Sequence, residues 1–124
     1  MATEKFRPAA GCYFQVLEKD CTGTAITQAD VASLKYTVYE LGYGGSRTPV
    51  TGHTNVSCSV ASCVLDEPAT DPETGKTYNV RVPISAAVTP PFPKVGATYE
   101  IELVMTDLNG EPHAEYKQGI CDTN

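Results

Sequence analysis

Positive charge is scarce in this chain. Nine Lys and Arg stand against fifteen Asp and Glu in 124 residues, for a net charge of -6. The nine are spread thinly, which excludes the clustered basic surface that tracks phosphates and with it direct nucleic-acid binding. Long apolar runs are missing too: no stretch approaches the roughly 20 residues that span a bilayer, so no membrane partner is expected. The opening residues MATEKFRP hold no apolar segment of signal-peptide type, and synthesis in a cytosol is expected. Histidine is nearly absent. His53 and His113 stand alone, each read as solvated, and neither lies in a context that supplies a Ser or Cys nucleophile with a carboxylate.

Other signatures of chemistry are missing as well. There is no GxSxG element, and the Gly42 to Gly45 segment lacks the lysine of a phosphate loop. The thiols show no paired CxxC spacing, which argues against a structural zinc. Asp66, Glu67, Asp71 and Glu73 do not alternate as calcium ligands do, and Pro68 and Pro72 between them fit a solvated loop. The sequence therefore predicts no enzyme, no catalytic residues, no metal and no cofactor.

What the chain does contain is β-pattern. Tyr78, Val80, Val82 and Ile84 alternate with Asn79 and Arg81; Tyr99, Ile101, Leu103 and Met105 alternate with Glu100 and Glu102. Period two of this kind puts one face in a core and the other in water. The spacing predicts further strands over 11–18, with Cys12, Phe14 and Val16 on one face, and over 33–41, with Leu34, Tyr36 and Val38 inward. One or two short strands bent near Ala61 are expected in 54–66. A last strand over about 113–120 is expected to turn Ala114, Tyr116 and Ile120 inward. Thr27 with Asp30 has capping-box spacing for one helical turn. Residues 67–75 read as a polar loop, Thr89 to Pro93 as an extended crossover, and Asp107 to Gly110 as a hairpin turn. Six or seven strands with no amphipathic helix describe a single immunoglobulin-like or fibronectin-like antiparallel β-sandwich. It is expected over 11–121, between an extended N-terminal arm over 1–10 and a tail over 122–124. Arms of this kind lie on neighbours, which makes Phe6 and Arg7 candidate contacts; Tyr39 and Tyr43, beside the glycine-rich loop, are two more.

Five cysteines, Cys12, Cys21, Cys58, Cys63 and Cys121, make a dense and odd set. Three readings stand open: small buried hydrophobes, internal disulfides, or a bridge between chains from Cys121 on a C-terminal tail. The spacing does not choose between pairings.

Four segments, AITQADVASLKY (25–36), TGKTYNVRVP (74–83), VGATYEIE (95–102) and NGEP (109–112), resemble small Ig-like proteins encoded among the structural genes of tailed phages and prophages. The resemblance spans about residues 10–120 and rests on turn and strand positions. It implies a virion component of the neck, collar, tail or capsid-decorating layer. Such a component assembles in a bacterial cytoplasm with copies of itself and other virion proteins, in rings or lattices that disulfides reinforce. An Ig-like surface or carbohydrate-binding module is the alternative, suggested by seven tyrosines.

Overall fold

The computed structural model describes residues 4–8, 10–87 and 89–122. Two sheets enclose one core. The larger contains β1 (Glu4–Phe6), β9 (Pro112–Cys121), β8 (Thr98–Asp107), β3 (Val31–Leu41) and β4 (Arg47–Pro49) in that order, with β5 (Val56–Cys58) also pairing β3. The smaller runs β2 (Cys12–Val16), β7 (Thr77–Ile84), β6 (Val64–Thr70). Within these sheets, β2-β7-β6 and β9-β8-β3 follow the two strand triplets of an immunoglobulin-type sandwich. The first strand differs, lying beside β9 rather than beside β2.

Alternation explains why the central strands sit where they do. Val80, Val82 and Ile84 of β7 are buried, as are Leu34, Tyr36 and Val38 of β3 and Tyr99, Ile101, Leu103 and Met105 of β8. A second hallmark of the architecture stands at the start of β8. The hydroxyl of Tyr99 accepts a hydrogen bond from the Lys94 amide five residues upstream at 2.8 Å, pinning the crossover from β7 to the start of β8. Phe92 in that crossover is fully buried, stacked on Phe6 at 4.0 Å and edge-on to Tyr99 at 5.5 Å.

Several expectations are corrected. Among the described residues nine strands form rather than six or seven, because short pairings at β1, β4 and β5 extend the larger sheet. The sandwich is not wholly antiparallel, since β1 pairs β9 in parallel, Glu4 opposite Gly119. The N-terminal segment is therefore part of the chain's own sheet, and Phe6 is buried in its core rather than presented to a neighbour. Strand β2 is an edge strand whose one strand neighbour among the described residues is β7. The bend in 54–66 is a helical turn, α1 (Val60–Cys63), capped by the Ser59 hydroxyl. Strand β6 carries on through Glu67 and Pro68, where a loop was expected. Its register against β7 shifts between Val64 and Ala69, and that irregularity accommodates a proline with no amide to give.

The last strand is one residue out of the expected phase. Met105 faces His113 and Leu103 faces Glu115, so the inward side of β9 holds His113, Glu115 and Lys117. Tyr116 and Ile120 are exposed at 54% and 42%. The more apolar side of β9 thus faces water, because the hairpin over 107–111 sets the parity and the inward residues of β9 overhang the open flank of the smaller sheet. The terminal residues 1–3 and 123–124, which fall in the expected arm and tail, lie outside the described residues.

Candidate functional site

Both residues read as solvated or wet-facing in the middle of the chain turn out to be buried polar nodes. His53 is 4% exposed; its Nδ1 bonds the Tyr36 hydroxyl and its Nε2 meets the Thr89 carbonyl oxygen, both at 2.8 Å. The imidazole ties β3 to the β7–β8 crossover. Asn79, fully buried, accepts from the Glu18 amide at 2.8 Å and donates to the carbonyls of Glu18 at 2.9 Å and Ile26 at 3.1 Å. It thereby holds the connection between β2 and β3 against the smaller sheet. Neither His53 nor His113 hydrogen-bonds a serine or cysteine among the described residues, since His113 bonds the Asp107 carboxylate at 3.1 Å.

No disulfide joins the cysteines. Cys63 and Cys121 are buried, Cys58 and Cys12 half-buried, and Cys21 exposed. Cys121 does not lie on a tail: it is 1% exposed and its thiol faces the Phe92 carbonyl at 3.3 Å, a position closed to a neighbouring chain. Burial, with the nearby Cys63, pushes the Cys58 thiol up to about 11, so it is protonated at neutral pH and a poor nucleophile.

Of the four candidate contacts, Arg7 is exposed and Phe6 is not. Tyr39 lies half-buried on the outer face of the larger sheet under the Arg47 guanidinium, 4.0 Å from its ring. Arg47 also pairs with Glu100 at 2.7 Å and Glu102 at 3.5 Å, so this face is already occupied by its own ion pairs. Tyr43 projects into solvent from the turn after β3. The acidic residues weighed as calcium ligands are used separately: Asp66 accepts from the Gln28 amide, and Asp71 from Gln15 and from the Glu73 amide.

A broad concavity lies on the opened flank of the sandwich. A cleft of about 920 Å³ wraps the edge of β2, between the inward side of β9 and the β6–β7 turn; Tyr13, Gln15, Tyr78, Arg81, Tyr116 and Lys117 are among its walls. Its two long sides are strand edges. β2 has β7 on one side and no strand on the other, and β9 has β1 beside it only over 119–121, leaving 112–118 unpaired on that side among the described residues. Sequence reasoning missed this cleft, because an edge is a property of strand order and strand order leaves no mark in a period-two pattern.

Glu115 lines the cleft, and Glu18, His113, Asp107 and Glu111 follow on from it. Burial, reinforced by the hydrogen-bonded Glu115 carboxyl, pushes the Glu18 carboxyl up to about 7. The hydrogen bond to Asp107 raises His113 and lowers Asp107. A raised acid holds its proton in the folded state where the unfolded chain has lost it, so its contribution is full below about 4.5 and fades as pH rises toward 7. His113 acts in the same direction just above this range, and the lowered Asp20, Asp71 and Asp107 titrate below it. We expect the urea midpoint to fall between pH 5 and pH 8. The Glu18 share is about 1 kcal/mol, since half of the group is screened by solvent. Glu115→Gln, whose amide can donate to Glu18, should flatten that slope. A midpoint that rises with pH, or an unchanged slope in the variant, contradicts the assignment.

The architecture and the cleft define an all-β, two-sheet sandwich with an open flank. No family model, curated protein or solved structure matches the chain. Among the described residues, no helix is long and apolar enough to cross a membrane.

Proposed function

We propose that this chain is a non-enzymatic structural protein of a tailed-bacteriophage particle, working by contact with other virion proteins and with copies of itself. The observation that carries the contact role is the cleft with two unpaired strand edges along its sides. An unpaired edge presents a row of amide and carbonyl groups, and a strand from a neighbour is the ligand that satisfies such a row. Pro112 and Lys117 on β9 are the residues that keep the edge from pairing indiscriminately. Placement in a phage particle rests on the likeness of the segments at 25–36, 74–83, 95–102 and 109–112 to phage structural proteins. The polar nodes at His53 and Asn79 fit the same reading: Asn79 holds backbone groups, and His53 holds the Thr89 carbonyl and the Tyr36 hydroxyl.

Mass photometry and sedimentation across a concentration series test the contact role, alongside a search for peptides of this chain in particles released by cells that carry its gene. The expected result is a discrete assembly that Tyr13→Asp with Tyr116→Asp disrupts, with an unchanged far-UV spectrum, and recovery of the peptides in particles. A monomer at all concentrations that is also absent from particles overturns the proposal. Binding of an oligosaccharide that the same double substitution abolishes would favour the surface-binding module instead, with the tyrosines of the cleft as its platforms.

A further inference from the structure

We propose that Asp107, Glu111 and His113, at the β8–β9 hairpin, form a binding site for a divalent transition-metal ion of the zinc, cobalt or nickel class. The three side chains bring one ligand atom each to within 4.8 Å of one another. Ligands bound to one such ion at about 2.0 to 2.2 Å lie up to roughly 4 Å apart, so small side-chain rotations close the set. The hairpin prepares it. One carboxylate oxygen of Asp107 accepts from the amides of Asn109 at 2.9 Å and Glu111 at 3.0 Å, which fixes the group and turns its second oxygen toward His113 Nε2 at 3.1 Å. That oxygen and that nitrogen are the first two ligands, already facing each other. Backbone bonds between Asp107 and Glu111 and between Gly110 and Asp107, each 3.0 Å, hold the loop that carries the third.

The ligand set selects the metal. An imidazole nitrogen with two carboxylates suits zinc, cobalt or nickel, whereas calcium and magnesium take oxygen alone. His113 and Asp107 remain partly exposed, at 50% and 27% of their side chains, so water completes the coordination.

Titration of the full chain with nickel chloride, followed by paramagnetic broadening in its amide spectrum and by calorimetry, tests the assignment. The expected result is one ion per chain, with broadening centred on residues 107–113 and no comparable response to calcium. His113→Gln, Asp107→Asn and Glu111→Gln should each weaken binding by roughly ten-fold or more. Asp107→Asn keeps an oxygen for the two loop amides, so its loss of affinity does not come from a lost turn. Broadening centred on the exposed Cys21, no response up to millimolar nickel, or unchanged affinity in His113→Gln with an intact spectrum overturns the proposal.

Discussion

Asn79→Leu is expected to lower the unfolding free energy by about 3 to 5 kcal/mol, a large part of the 5 to 15 kcal/mol on which a domain of this size stands. Leucine keeps the branched heavy-atom shape of asparagine and is no smaller, so the loss is not a cavity. It comes from the backbone groups that Asn79 satisfies: the Glu18 amide, the Ile26 carbonyl and, shared with the Ile26 amide at 3.1 Å, the Glu18 carbonyl. Each buried group left without a partner costs about 1 to 3 kcal/mol, and the total stays below the simple sum because water reaches the half-buried Glu18. Asn79→Asp is the informative companion, since it keeps an acceptor for the Glu18 amide but loses both donors and adds a buried charge. It should be no more stable than the leucine variant. Urea unfolding at neutral pH measures both, and a leucine variant within about 1 kcal/mol of the parent would refute the role given to this residue.

Phe92→Ala is expected to cost about 3 to 5 kcal/mol, the range for deleting a fully buried aromatic ring. Its ring lies between Phe6 and Tyr99, so the loss spreads in two directions. On one side the Tyr99 ring loses its edge contact. On the other, the short strand β1 loses the surface that holds it, because a three-residue strand has few ladder bonds of its own and depends on burial of Phe6. Hydrogen exchange should therefore show the amide of Asp122, which donates to the Phe6 carbonyl at 2.8 Å, exchanging faster than amides in β3 and β8. A double-mutant cycle with Phe6→Ala should be strongly non-additive. Full additivity, with unchanged exchange at Asp122, would show that β1 is held by something other than this stack.

Much of the fold was legible in the residues, for a reason that also marks where legibility stopped. A strand buried on one face writes its burial into every second residue, and β3, β7 and β8 did so. The hairpin at Asp107 to Gly110 and the proline-rich crossover were equally readable, since turn chemistry and missing amides act locally. Strand β9 misled because its outward residues, Tyr116 and Ile120, are more apolar than its inward ones; pattern assigns the apolar side to the core, but here the inward side overhangs an open flank. Asn79 and His53 misled in another way. Polar side chains are read as solvated, and nothing local reveals a carbonyl 53 residues away, at Ile26, waiting for a donor. Phe6 was mistaken for part of an arm because three residues are too few to show a period.

The candidate sites were the least legible part. Neither the cleft beside β2 nor the triad at the β8–β9 hairpin is a contiguous motif; Asp107 and His113 are six residues apart, at the two ends of a turn. By itself, the order of residues determined an all-β sandwich with one hydrophobic core, because alternation and turns are nearest-neighbour effects that each segment carries with it. Which strands stand at the edges, which polar groups are buried and which carboxylates meet a histidine were decided only by the tertiary structure. Those properties depend on parity and strand order between segments distant in the chain, where a shift of one residue exchanges the inside for the outside.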